Sequence, residues 1–305
     1  MAQEDLQRST RFDAADRVVR LGIAANLVLV AIKMSAGHFG RSEAVFADGV
    51  ESACDLAVAV GTLVAMRISR APSDSRHPYG HGRVENIAAL MIGAVILATG
   101  VWIMFTSVHS IFYHARGRPA WIAVAAAAFT IVAKELLARY TLRVGHRIGS
   151  PSILALAQDH RKDALTSIAT LIGAGCALLG ATILDPIVAG LTALLILKTG
   201  WETFVSASHE LMDSALPDEQ IREVTKLAES VAGVEHVHEI KGRRSGQFMI
   251  IDLKLEMDSE MTVRHSHEVA TRVKRLIFDA YPAVGDVMIH VNPHDDPDHE
   301  DLVRL

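Results

Sequence analysis

The stretch AQDHRKDALTSIATLIGAG (157–175) sets five consecutive ionisable or imidazole side chains, Asp159, His160, Arg161, Lys162 and Asp163, directly before an apolar run. That run is long enough to lie in a membrane. A charged side chain at membrane depth costs about 2.5–3.5 kcal/mol on insertion scales and marks function by default. On a helix, Asp159 and Asp163 fall at i, i+4 on one face, with His160 one step round the same edge.

Outward from this stretch, apolar segments of about 20 residues, the length a spanning helix needs, recur six times. They cover about 18–38, 44–67, 85–112, 119–140, 153–179 and 183–206. Half of the residues are hydrophobic while 21% are charged, a mixture that pairs apolar spans with a polar soluble part. Net charge is −5 and the pI about 6.3, so the electrostatic footprint of a nucleic-acid binder is missing and no such partner is expected. Cys54 and Cys176 both fall in apolar runs and lack a CxxC partner, which argues against a disulfide framework or a cysteine zinc site.

The first 20 or so residues are polar and hold no signal-peptide core, so a tail over 1–17 is expected to run into the first span. The connections at 37–42, 113–119 and 180–185 carry few cations (Arg41, Arg116, Arg118). The alternate connections carry Arg67, Arg70, Arg76 and Arg83, then Arg139, Arg143 and Arg147, with Arg8, Arg11, Arg17 and Arg20 before the first span. The positive-inside rule then places both termini in the cytoplasm.

Past Leu216-Pro217 the composition changes. PDEQIREVTKLAESVAG reads as an amphipathic helix, VEHVHEIKGRRSG and QFMIIDLKLEM as strands, SEMTVRHSHEVATRVKRLIFDAYP as a second helix and GDVMIHVNP as a last strand. The second strand alternates Ile251, Leu253 and Leu255 against Asp252, Lys254 and Glu256. An α-β-β-α-β order with antiparallel pairing predicts a small two-layer α+β domain. The expected plan is a tail (1–17), a six-helix membrane domain (18–208), a cytoplasmic domain (209–293) and a polar, solvated tail (294–305), with weak metal binding through His294 and His299 as the less favoured alternative.

A second acidic set lies in FADGVESACDLAVAVG (46–61), where Asp48, Glu51 and Asp55 sit at i, i+3 and i+7 on one helix face. Two helices that each present a carboxylate pair can converge on one divalent cation, whereas either pair alone is a like-charge site in lipid. The bland alternative leaves these carboxylates hydrated near helix ends or paired with Arg161 and Lys162. The loop SRAPSDSRHPYGHGRVENIAAL (69–90) adds Asp74, His77 and His81, and its glycines permit turns that bring the imidazoles together. His-x3-His with a carboxylate is a transition-metal pattern, although a polar loop can hold the same residues without a ligand.

FADGVESACD, HPYGHGRVENIAAL, DHRKDALTS and LMDSALPDE, in that order, resemble the motifs of the cation diffusion facilitator family of divalent-metal transporters. The resemblance runs over nearly the whole chain. It implies a homodimer in the cell (inner) membrane, with six transmembrane helices and a metallochaperone-like (ferredoxin-like) cytoplasmic domain per protomer. It also implies export of a divalent cation from the cytoplasm in exchange for protons, with the metal as cargo and regulatory ligand and no prosthetic group. The family's transport site maps onto Glu51, Asp55, Asp159 and Asp163, and its cytoplasmic metal site onto His238, Asp252, His267 and His290. An inter-helix ion pair that latches the family's dimer maps onto Arg83 and Asp213.

Zinc members usually have histidine where Asp159 stands. Here the quartet is all oxygen, with His160 displaced by about 100° round the helix, and carboxylates suit harder cations such as Mn²⁺ while imidazole favours Zn²⁺. Manganese or iron is therefore expected, with a zinc, cadmium or cobalt exporter that uses His160 as the alternative. In the soluble domain Asp252 replaces a histidine and Asn292 a carboxylate, which weakens the case for two ions there. A membrane hydrolase would need a nucleophile or base beside an open metal position, and no Ser-His-Asp order, HExxH or phosphate loop occurs, so no enzyme is expected. A sensor that has lost transport would not need the intact carboxylate quartet.

Overall fold

The structure, a computed structural model, describes residues 2–113 and 117–294, with side chains from residue 15 onward. Arg116 and His299, and the side chains of Arg8 and Arg11, lie outside the described residues. The chain divides into two compact units, residues 1–61 with 91–204 and residues 62–90 with 205–305.

Six long helices come first: α1 (Ala2–Phe39), α2 (Glu43–Ser69), α3 (Val84–Tyr113), α4 (Trp121–Ile148), α5 (Pro151–Leu178) and α6 (Leu184–Leu211). Among the described residues five are long and apolar enough to cross a membrane, namely 15–39 of α1 and the whole of α2, α3, α4 and α6. The sixth, α5, is 28 residues long, and the cluster from Asp159 to Asp163 interrupts its apolar run. The charges thus sit about one-third of the way along a helix of spanning length.

Local chemistry sets how α4 and α5 meet. Gly149 ends α4 in the left-handed region (φ 64), a conformation that suits glycine. Ser150 caps α5 by accepting the Ile153 N–H, and Pro151 follows at the first helical position. A two-residue link between helices makes them antiparallel neighbours. Ala123 and Ala127 of α4 and Ala174 of α5, fully buried with Val45 of α2, let the backbones approach closely where no hydrophobic drive separates lipid from side chain.

In the second unit, α7 (Asp218–Glu229) and α8 (Val263–Ala280) cover one face of a sheet of β1 (His236–Ser245), β2 (Phe248–Met257) and β3 (Val284–Pro293). Met249, Ile251, Leu253, Leu255 and Met257 of β2 face the core, as the alternation predicts. Val269, Val273 and Ile277 of α8, one turn apart and fully buried, meet them. Each such side chain contributes about 1.5–3 kcal/mol by burial. The expected antiparallel pairing holds for β1 and β2, joined by the two-residue Gly246-Gln247 turn with Gly246 at φ 60. It is overturned for β2 and β3, which are parallel. The reason is the intervening α8: a strand that returns to its neighbour through a helix enters from the same end.

Candidate metal-transport site

The carboxylates of α2 do not all do the same thing. Asp48 is 2% exposed and bound to Lys33 of α1, itself 0% exposed, at 2.9 Å. Lys33 Nζ also donates to Ser52 Oγ (3.1 Å) and Ser167 Oγ (3.2 Å), and Ser167 donates to the other oxygen of Asp48 (3.0 Å). Both oxygens of Asp48 are thereby occupied within a closed network that joins α1, α2 and α5. Its place on the acidic helix face makes Asp48 a candidate ligand, yet the geometry gives it a different partner: a buried charge must be paired, and here the pair is a lysine.

Glu51 and Asp55, one and two turns on, face each other's charge and that of Asp163 on α5, and Asp55 also feels Asp159 and Lys134. The Ser167–Asp48 hydrogen bond ties the two helices side by side at this level, but among the described residues no three of Glu51, Asp55, Asp159 and Asp163 bring ligand atoms within 4.8 Å of one another. One Glu51 oxygen, Oε2, is buried with no hydrogen-bond partner. Buried polar atoms are ordinarily satisfied, so this oxygen is one of the places where a cation would fit. Asp163 is 29% exposed and accepts a hydrogen bond from Lys134 Nζ of α4 at 2.5 Å; the same ammonium donates to Asn26 Oδ1 of α1 at 2.6 Å.

The two neighbouring residues at the start of the acidic cluster point different ways. Asp159 is 62% exposed and paired with Lys162 at 3.2 Å. His160 is 2% exposed and packs toward α1, where a Cβ on Gly22 would stand 3.5 Å from its Nε2. The carboxylate is thus open and the imidazole enclosed against α1.

In the second unit, the loop before α3 gathers Asp74, His77 and His81, with one potential ligand atom from each lying within 4.8 Å of the others. His77 Nδ1 is 3.3 Å from Asp74 Oδ1, and His81 Nε2 is 3.6 Å from Asp74 Oδ2. The N–H groups of His77 and Arg76 donate to Asp74 and hold its carboxyl below the usual carboxylate range, so the anion is ready for a cation. Gly82 places the loop against the β1–β2 turn: a Cβ there would come within 2.3 Å of the Ser245 carbonyl oxygen. Arg83 next to it donates to Asp213, which Arg243 approaches to 3.7 Å, so the expected ion pair forms within one protomer.

His238, Asp252, His267 and His290 are all exposed. Among the described residues of one protomer, they do not form a group of three close ligand atoms; the loop trio does. The register sets Asp252 and His290 on the sheet face opposite the helices, and a bulge between Val237 and Glu239 turns His238 to Glu256. His238 Nδ1 lies 3.0 Å from Glu256 Oε1, and His294 Nδ1 lies 2.7 Å from Oε2. Glu256 is held below the usual carboxylate range, first by the His294 contact and then by His238. Sequence reasoning misses Glu256 as the bridge between two histidines; its place on the polar side of β2, two residues past Lys254, is the signal that could have found it.

Long helices that bury carboxylates against lysines, joined to a small α+β domain with exposed histidines, define a membrane protein that handles cations. Residues 19–212 match the family description "Cation efflux transmembrane domain" and residues 216–294 match "Cation efflux protein, cytoplasmic domain". The chain belongs to the cation efflux, or cation diffusion facilitator, family: it is a multi-pass membrane protein of divalent-cation efflux. It is 32% identical to the manganese efflux system protein MneP of Bacillus subtilis over 293 residues, covering 94% of this chain and 98% of that one. It is 29% identical to the magnetosome protein MamB of Paramagnetospirillum magneticum over 281 residues, covering 92% and 95%. A solved MamM CTD structure aligns with 26% of this chain and 93% of its own at 20% identity, with a TM-score of 0.25.

Proposed function

We propose that this chain is a proton-coupled antiporter that exports Mn²⁺ or Fe²⁺ from the cytoplasm. The observation that supports the reading is the pairing of α2 with α5 through Asp48 and Ser167, which sets Glu51 and Asp55 of α2 within the electrostatic reach of Asp163 of α5. The cargo ion enters from the cytoplasm, displaces protons from these carboxylates and leaves on the far side when protons compete it off. The arginine-rich alternate loops support cytoplasmic termini. The membrane part is residues 18–208 and the cytoplasmic part 209–293, the latter joining two protomers, with Arg83 and Asp213 steadying the dimer where the two parts adjoin in sequence.

An oxygen-only donor set accepts hard cations without favouring Zn²⁺, and the manganese named for the Bacillus relative agrees with that preference. Metal at His238, Asp252, His267 and His290 acts as a regulatory ligand: ions shared between protomers draw the cytoplasmic domains together and shift the conformational population. The trio Asp74, His77 and His81 is a further cytoplasm-side ion site. A second reading, zinc, cadmium or cobalt carried with His160, draws on the unpartnered, buried Nε2 of that ring.

Flux of Mn²⁺, Fe²⁺ and Zn²⁺ into proteoliposomes under an imposed pH gradient separates the two. Asp159→His should shift preference toward Zn²⁺, and His160→Ala should leave Mn²⁺ flux largely intact. Loss of transport in His160→Ala, with wild type already preferring Zn²⁺, would hand the ligand role to His160.

A further inference from the structure

The inference rests on the reading of Asp163 as a transport ligand. Among the described residues of the first unit two lysines lie buried, each against an aspartate, and the two pairs differ in a way that matters. Lys33 and Asp48 are closed on both sides, at 0% and 2% exposure, and the ammonium has three oxygen acceptors. That is the geometry of a permanent tie. Lys134 is as buried, at 2%, yet its partner Asp163 is 29% exposed. The carboxylate thus looks toward accessible space on one side and toward the ammonium on the other, while the charge of Lys134 also reaches Asp55. Behind it Asn26 Oδ1 accepts from the same Nζ at 2.6 Å, a neutral acceptor that belongs to α1 and not to the acidic cluster.

We infer that the Lys134 ammonium is a tethered counter-ion of the transport site. It holds Asp163 while no cargo ion is bound, cedes the carboxylate when a divalent cation arrives, and is retained by Asn26 meanwhile. Lys134 occupies Oδ2 of Asp163, and a divalent cation on either oxygen would stand only a few ångströms from the ammonium, where like charges repel strongly in a low-dielectric interior. The exchange at Asp163 is therefore a competition between cations with no covalent step, and the protons that the cargo ion displaces leave the other carboxylates, Glu51 and Asp55. Its consequence is kinetic. A cluster of carboxylates left to itself would hold a divalent ion tightly and release it slowly; a resident cation that returns to Asp163 weakens the bound state and hastens departure.

The test is the split between KM and kcat for Mn²⁺ flux by the full chain in proteoliposomes at a fixed pH gradient. Lys134→Met, of similar length and without charge, should lower KM at least tenfold, equivalent to about 1.4 kcal/mol, and should lower kcat as release slows. Lys134→Arg, which keeps the charge, should bind no tighter than wild type. A folded Lys134→Met with unchanged or higher KM would overturn the counter-ion and leave the lysine a structural support. Should Lys134→Met fail to fold, Asn26→Ala decides: loss of the waiting acceptor should raise KM several-fold, and an unchanged KM overturns the proposal. Asp163→Asn separates the two levels of inference. If it abolishes flux while the Lys134 and Asn26 variants behave as wild type, only the counter-ion falls. If Asp163→Asn transports normally, the assignment of Asp163 falls, and the counter-ion with it.

Discussion

Lys33→Met leaves Asp48 buried at 2% exposure with one serine donor in place of its ammonium. Loss of one partner from a buried ion pair costs about 3–5 kcal/mol, because the remaining charge is uncompensated. The saturated geometry here, with Lys33 satisfied by three oxygens and Asp48 by two donors, argues for the upper part of that range. Lys33→Met combined with Asp48→Leu removes both charges, and the hydroxyls of Ser52 and Ser167 can turn back to carbonyls of their own helices. Replacement of a buried pair by apolar groups is often neutral or stabilising, so the double variant should recover most of the loss, giving a coupling energy of about 3 kcal/mol or more between the sites. Denaturant titration of the purified full chain, followed by helix content, measures all four corners of the cycle. Flux adds a second reading: the double variant should still transport Mn²⁺, since Asp48 serves Lys33 and not the ion. A Lys33→Met single variant within about 1 kcal/mol of wild type, well short of the cost of an unpaired buried charge, would refute the closed network. Loss of flux in a stable double variant would return Asp48 to the ligand set.

Gly82→Ala should destabilise the second unit by about 1–3 kcal/mol, the range for forced overpacking, because the new Cβ meets a backbone carbonyl at 2.3 Å; protease sensitivity of the 69–90 loop should rise, and an unchanged cleavage rate would show that the loop does not rest on the hairpin. The depressed pKa of Glu256 gives stability that is present above its unfolded value of about 4.3 and lost as pH falls through the lower folded value. Calorimetry between about pH 5 and 3, the window that spans this titration, should therefore show a steeper fall in the soluble-domain midpoint for wild type than for Glu256→Gln, and parallel curves would contradict the His238–Glu256–His294 bridge.

The helices and the polar domain are legible in the sequence because length and periodicity are local properties. The six expected spans fall on the six long helices, five of which are long and apolar enough to cross a membrane, and the alternation over Ile251–Glu256 reads directly as core and surface. The parallel β2–β3 pair has a local signal as well: the helical segment between the two strands forces the second to re-enter from the same end. Lys33 and Lys134 are missed by the sequence reading, although each falls in an apolar segment, where an ionisable group is the signal that could have found it. Their partners are not legible: Lys134 finds Asn26 and Asp163 on other helices, a matter of packing and not of spacing. The choice between Asp159 and His160 is a matter of helix rotation. A step of about 100° is plain from the sequence, but which residue faces α2 depends on how α5 settles against α1 beside Gly22. The histidines of the soluble domain are legible as residues and not as a cluster, because on one protomer they lie apart on a strand face and a helix.

The central claim is that carboxylates of α2 and α5 carry a divalent cation against protons. Proteoliposomes holding the wild-type chain, Asp55→Ala or Asp163→Ala, with an imposed pH gradient and a Mn²⁺-sensitive dye inside, test it most directly. Wild type should accumulate Mn²⁺ in a gradient-dependent way, with proton movement in the opposite direction, and each variant should fold yet lose flux by about 100-fold or more, on the order of 2.7 kcal/mol. Wild-type flux in either folded variant, or Mn²⁺ uptake indifferent to the pH gradient, would contradict the claim.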